Sequence, residues 1–271
     1  MSALETLKLL RLPLAAIGVG YVCFAALAPT IAQRLLYHPQ HGSGRAPDGL
    51  RRIQGGTGEL AVLYLPNPGA HFTLWYFHGN AEDLGDIESA LRGFRDAGFS
   101  VFAVEYPGYG HSAGTPSEQN LYAAARVART YLREELRVPA ERTILYGHSL
   151  GGGSAVQLAA EEEVGGLVLQ SCFTSAFRVM TRWRLLPFDQ FENLRKLPRV
   201  TSPVLVLHGT EDEVISLVHG ETLFAAAAAP KRSLWVEGAG HNDLRGVAGK
   251  GFWDALSAFR DLCRRPGGAQ P

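Results

Sequence analysis

Five short apolar runs constrain this chain more than any other feature in it. They read HFTLWYF (71–77), FSVFAVEY (99–106), TILYG (143–147), GLVLQ (166–170) and PVLVLHG (203–209). A strand covered on both faces turns no side chain to water, so it reads as a nearly continuous hydrophobic segment rather than an alternating one. LAVLYL (60–65), closed by the turn PNPG, and SLWVEG (233–238) read as two further strands. Helical patterns lie between them. DIESALRGFRDAG (86–98) is amphipathic and ends in glycine. Thr115-Pro-Ser-Glu118 places threonine at a helix cap, proline in the first turn and glutamate three residues on, opening a helix to about Leu136. Other helices start in the glycine run after Gly147, end in the alanine tract 225–229, and span about Phe252 to Cys263. Strands alternating with helices at this spacing predict a mostly parallel sheet with helices on both faces, an α/β class.

With 271 residues, 46% of them hydrophobic, the chain is long enough for one sizeable core. Its 26 basic residues balance 26 acidic ones, which gives no electrostatic case for nucleic acid as a partner. Cys23, Cys172 and Cys263 form no CxxC pair and no disulfide framework, as suits a reducing compartment.

From Leu12 to Gln33 no residue is charged, which is about the length that crosses a hydrocarbon core. Lys8 and Arg11 precede this stretch and Arg34 follows. Pro29 disfavours cleavage after Ala26-Leu-Ala28, so the expectation is an uncleaved signal anchor in membrane lipid rather than a signal peptide or a buried core helix. Basic residues on the two flanks leave its orientation open. The expected organisation is an N-terminal membrane helix over 1–38, one globular domain over 39–265 that begins with a polar connector, and a frayed tail over 266–271.

The chemistry concentrates at GHSLG, Gly147 to Gly151, between the strand TILYG and a helix start. This fits G-x-S-x-G, in which a sharp strand-to-helix turn thrusts serine upward and the residues two before and two after it must lack bulk. Gly147 and Gly151 supply that freedom, with His148 as support. No GxxxxGK[ST] occurs and no lysine lies near, so a phosphate cradle is disfavoured against a nucleophile. A serine hydroxyl needs a base, and the base an orienting carboxylate, in the chain order serine, acid, histidine. Downstream stand His208, His219 and His241. Only His241, in GAGHND, falls in a loop directly after a strand; His208 ends a strand and His219 sits in a helical segment. HGTEDEV offers Glu211, Asp212 and Glu213, of which Asp212 is preferred, with Asp189 a distant alternative. The backbone N–H of Leu150 and that of Asn80, in HGN (78–80) after the first buried strand, are the expected oxyanion donors. His78 reads as a buried histidine bonding loop backbone. MTRWRLLPFDQF (180–191) offers Trp183, Leu186, Phe188 and Phe191 as a lid or acyl-pocket wall, with an ordinary connecting helix as the alternative.

Together LLYHP, HGNAEDL, EYPGYGHSAGTPSE, GHSLGGGSA, PFDQFENL, SPVLVLHGTEDEVI and GAGHND resemble the α/β-hydrolase superfamily over nearly the whole span from Leu35 to His241. The likeness is greatest to its small membrane-anchored members, which include the abhydrolase-domain 17 depalmitoylases and their bacterial relatives. The resemblance implies an eight-stranded, mostly parallel sheet, with Ser149 as nucleophile, Asp212 as acid and His241 as base. It differs at the N-terminus: those depalmitoylases have a cysteine-rich segment there, whereas this hydrophobic span holds only Cys23. The expected activity is hydrolysis of a small acyl ester or thioester, with lipidated substrates included and no metal or cofactor required. An amidase or peptidase of the same fold, and a catalytically silent membrane-bound scaffold, are the alternatives.

Overall fold

The computed structural model describes residues 16, 19–24, 36–39, 42–56, 58–180, 189–228 and 230–264. The chain separates into two compact units, residues 1–38 and 39–271. In the first, residues 19–24 are helical, and Val19, Tyr21, Val22 and Phe24 are exposed. The stretch 12–33, expected to span a membrane, lies mostly outside the described residues. Among the described residues no helix is long and apolar enough to cross one.

The second unit holds an eight-stranded sheet in the order β1-β2-β4-β3-β5-β6-β7-β8. Its strands are β1 Arg51–Gly55, β2 Gly58–Leu65, β3 Thr73–Phe77, β4 Ser100–Val104, β5 Thr143–His148, β6 Gly166–Gln170, β7 Val204–Gly209 and β8 Lys231–Val236. β2 pairs antiparallel with both β1 and β4, and every other pairing is parallel, so β2 alone runs against the rest. Strands β3 to β7 are buried at every position. This is why their sequences show no alternation.

The helices are α1 Leu84–Asp96, α2 Glu118–Glu134, α3 Gly151–Glu161, α4 Ala176–Met180, α5 Asn193–Lys196, α6 Leu217–Ala226, α7 Leu244–Ala248 and α8 Lys250–Cys263. Leu84, Ile87, Leu91 and Phe94 of α1 and Phe252, Leu256 and Phe259 of α8 cover one face of the sheet, meeting Leu74, Tyr76, Val101, Tyr146, Val168 and Leu205. On that face Tyr76 and Tyr146 stack with ring centroids 5.1 Å apart. Helix α3 packs on β5, β3 and β6, with α2 beside it, and α6 packs on β7. Because the side chains of a strand alternate, Trp75 and Leu145 face away from Tyr76 and Tyr146.

Three local features differ from expectation. β1, RRIQG, lies between the polar connector and the strand expected from Leu60, in a stretch to which the sequence reading gave no element. It is an edge strand held by backbone pairing to β2, with its side chains largely exposed, so it carries no apolar pattern. Nor is the stretch before β1 free: the Ser43 hydroxyl donates to Asp83 Oδ1 (2.7 Å) and the Gly44 amide to Asp83 Oδ2 (2.6 Å), beside the capping box that Asp83 forms with Asp86. Finally, the cap of α2 is Ser117 rather than Thr115. Ser117 Oγ accepts the Asn120 amide at 3.1 Å. Glu118, expected to close a box with Thr115, instead accepts from the Phe191 amide (2.9 Å) and the Tyr122 hydroxyl (2.8 Å).

Candidate active site

The parallel pairing of β3 with β5 aligns Phe77 with Gly147, so the turns leaving these strands emerge side by side at the carboxyl edge. β6 aligns Gln170 with His148, and the Ser149 amide donates to the Gln170 carbonyl at 2.9 Å. Ser149 adopts φ 50°, a left-handed conformation that costs a non-glycine residue about 1–3 kcal/mol and persists only where its surroundings enforce it. The flanking glycines show how. A Cβ on Gly147 would lie 2.6 Å from Gly152 Cα, and one on Gly151 would strike the Phe77 carbonyl. The turn can close only because both positions lack side chains.

Two distant loops deliver partners to Ser149. Its hydroxyl donates to His241 Nε2 at 3.0 Å. His241 Nδ1–H donates to Asp212, 2.8 Å from Oδ2 and 3.0 Å from Oδ1. Asp212 Oδ1 also accepts the amides of Val214 (3.0 Å) and Ile215 (2.7 Å). His208 Nε2–H donates to the Ile215 carbonyl at 2.7 Å and stands 3.3 Å from Asp212 Oδ2. Burial alone would raise the pKa of Asp212. The contacts from His208, His241 and the Ile215 amide outweigh it and hold the carboxyl well below its ordinary range. All three side chains are buried. A carboxylate fixed on one imidazole nitrogen and a hydroxyl on the other is the arrangement that lets imidazole take the hydroxyl proton. His219 lies elsewhere, against Thr174, whose amide donates to its Nδ1 at 3.2 Å. Cys172 packs beneath the turn, its Sγ donating to the Gly147 carbonyl at 3.3 Å; burial pushes its thiol far up, which disqualifies it as a nucleophile.

Comparison with known proteins bears on the fold. Residues 73–196 match the family model for the alpha/beta hydrolase fold. The chain is 43% identical over 210 residues to the Caenorhabditis elegans alpha/beta hydrolase domain-containing protein aho-3, covering 74% of this chain and 61% of that protein. It is 44% identical over 181 residues to human alpha/beta hydrolase domain-containing protein 17B, covering 66% and 63%. This chain has the alpha/beta hydrolase fold. It spans less than two thirds of these relatives' own length. Solved structures share the fold: a Pyrococcus furiosus esterase has a TM-score of 0.66 at 16% identity, over 79% of this chain and 91% of that one. A Paleococcus ferrophilus monoacylglycerol lipase has 0.61 at 21%, over 75% and 99%.

Of the other expected site residues, Leu150 follows Ser149 at the start of α3, and Asn80 lies in the β3–α1 turn, its Oδ1 accepting from the Tyr109 hydroxyl at 2.7 Å. Trp183, Leu186 and Phe188 lie outside the described residues. Phe191 is fully buried, against Tyr122, Phe173 and the α3 backbone at Gly153, which makes it core packing rather than a lid residue.

The same sheet edge also carries a network in which His78 and His148, both read from sequence as support, meet two carboxylates that were not, Glu82 and Glu105. His78 Nδ1–H donates to the Gly79 carbonyl at 2.8 Å, and its Nε2 stands 3.0 Å from Glu105 Oε1, both side chains fully enclosed. Burial lowers the pKa of His78, but the Glu105 contact overrides this and raises it, as expected of a buried ion pair. Glu82 Oε2 accepts the Gly79 amide at 2.7 Å and lies 3.3 Å from His148 Nδ1. Burial would raise the pKa of Glu82, yet neighbouring His148, then His78 and the Gly79 amide, lower it to about 2.

Glu82 and Asp212 therefore titrate below their values in an unfolded chain, about 4. A depressed folded pKa contributes stability that is present above the unfolded value and lost as pH falls through the folded one. On the acid side, the melting temperature followed by circular dichroism is expected to fall between about pH 4.5 and 2. Glu82→Gln should flatten that fall, and an unchanged profile in the variant would contradict the assignment.

Proposed function

We propose that this chain is a serine hydrolase that cleaves carboxylic esters or thioesters through an acyl-enzyme, with residues 39–265 as the catalytic unit. The observation that carries the reading is the continuous path from Ser149 Oγ through His241 to Asp212, at 3.0 Å and 2.8 Å. His241 Nε2 takes the Ser149 proton as Oγ attacks the acyl carbon. Negative charge gathers on the former carbonyl oxygen, facing the N–H groups of Asn80 and Leu150. His241 then returns the proton to the departing alkoxide or thiolate, leaving an acyl-Ser149 ester. A water molecule, deprotonated by His241, attacks that ester and frees the acid and Ser149. Asp212 keeps the imidazole proton on Nδ1 and stabilises the imidazolium that forms in each half-reaction.

In this reading the uncharged stretch 12–33 holds the catalytic unit at a membrane, which suits long-chain acyl groups, those on lipidated proteins included. The experiment is turnover of p-nitrophenyl esters and acyl thioesters of graded chain length, with acyl anilides as the amide arm, against wild type and Ser149→Ala. Esters and thioesters should be cleaved and anilides left nearly untouched. Turnover of anilides alone would overturn the ester reading, and no Ser149-dependent turnover of any arm would overturn the enzyme reading.

A further inference from the structure

The two N–H groups assigned to the oxyanion come from different loops, Asn80 from the β3–α1 turn and Leu150 from the β5–α3 turn. Such donors work only when held within a few tenths of an ångström of the oxygen they receive. The strand pairing that aligns Phe77 with Gly147 ends where the turns begin, so the separation of the two amides must be set by something beyond the sheet.

We propose that Glu82 is a positioning residue that locks the β3–α1 turn to the nucleophile turn and so sets the spacing of the Asn80 and Leu150 amides. This rests on the oxyanion assignment above. One carboxylate oxygen serves both loops: Glu82 Oε2 accepts the Gly79 N–H at 2.7 Å and meets Nδ1 of His148 at 3.3 Å. Gly79 is bonded to Asn80, and His148 to Ser149, so the bridge ends one residue from the oxyanion donor and one from the nucleophile.

Gly79 is held on its other side as well. Its carbonyl accepts from His78 Nδ1–H, and because a trans peptide is planar, the N–H of Asn80 points opposite to that carbonyl. His78 thus sets the direction of the Asn80 N–H, and Glu82 sets the position of the turn that carries it. Gly79 has room only for hydrogen: a Cβ there would lie 2.7 Å from Glu82 Oε2 and 3.0 Å from His148 Nδ1. The carboxylate fills the space between the loops.

Electrostatics separates this role from direct catalysis. A carboxylate beside the oxyanion donors opposes the negative charge that develops there, so its charge works against the reaction while its hydrogen bond works for it. Glutamine keeps an acceptor oxygen at nearly the same reach and discards the charge. Glu82→Ala removes both. Glu82→Asp keeps the charge and shortens the reach by one methylene.

The test is steady-state kinetics on a p-nitrophenyl ester with wild type, Glu82→Ala, Glu82→Gln, Glu82→Asp and Ser149→Ala, alongside thermal melts. Losing an oxyanion donor outright costs about 10²- to 10³-fold, so displacing one by alanine at residue 82 should lower kcat roughly 10- to 100-fold. KM should move by less than about threefold, since the loss falls on the transition state. Glutamine should recover most of the lost kcat, and aspartate should not. Wild-type kcat in Glu82→Ala, a loss confined to KM, or glutamine no better than alanine at equal melting temperature would each overturn the proposal. Should the alanine variant not fold, the glutamine–aspartate pair decides: aspartate matching wild type while glutamine fails refutes it. Undiminished turnover in Ser149→Ala would instead mark failure of the underlying nucleophile reading.

Discussion

Ser149→Ala is expected to lower kcat by roughly 10⁵- to 10⁶-fold and to abolish covalent labelling of the chain by a fluorophosphonate, read as loss of the adduct mass. The size follows from how little else at this position can attack an acyl carbon. Asp212 holds its charge, and Cys172 lies beneath the turn with its thiol proton held by burial. What remains is binding and oxyanion stabilisation, worth about 10³- to 10⁴-fold over water.

The variant should fold normally, so the loss is chemical. Alanine keeps the Cβ, and the strained φ of 50° is imposed by backbone bonds that need no hydroxyl, the Ser149 amide to Gln170 and the Gly152 amide to Ser149. Adding His241→Ala to Ser149→Ala should lower the rate little further, because residues that act as one unit are not additive. A labelled Ser149→Ala protein, or a double variant far below the single, would show that these side chains do not act together.

How legible this arrangement is in sequence depends on whether a signal is local. The buried strands announce themselves because water is excluded from both sides, and the turn at Ser149 because only glycine tolerates the contacts at Gly147 and Gly151. Asp212 and His241 were narrowed by chain order and by their position just past a strand. β1 stayed hidden because an edge strand is held through backbone bonds, which any residue can make, RRIQG included. Ser117 displaced Thr115 as the cap because Glu118 is recruited by Phe191, 73 residues away. Likewise His78, Glu82, Glu105 and His148 come from three strand ends, and nothing in local spacing announces that two of the carboxylates brace one turn.

Asp212→Asn should lower kcat about 10⁴-fold while leaving a folded protein, and the structure says why the near-isosteric change is so costly. A carboxylate here meets only donors: the Val214 and Ile215 amides, His241 Nδ1–H and, at 3.3 Å, His208 Nε2–H. Asparagine has one acceptor oxygen and one NH₂. Turning the NH₂ toward the two amides would set donor against donor in a buried site, at about 1–3 kcal/mol for each group left unpaired. The oxygen therefore stays on the amides and the NH₂ faces His241. Imidazole must then accept on Nδ1 and carry its proton on Nε2, where it confronts the Ser149 hydroxyl and has no lone pair to take its proton. Glu211→Gln and Glu213→Gln, on the neighbouring exposed acids, should leave kcat at the wild-type level. If Asp212→Asn retains more than about a tenth of wild-type kcat, or if Glu211→Gln suffers the larger loss, imidazole orientation does not depend on Asp212, and the proton path through His241 must be drawn another way.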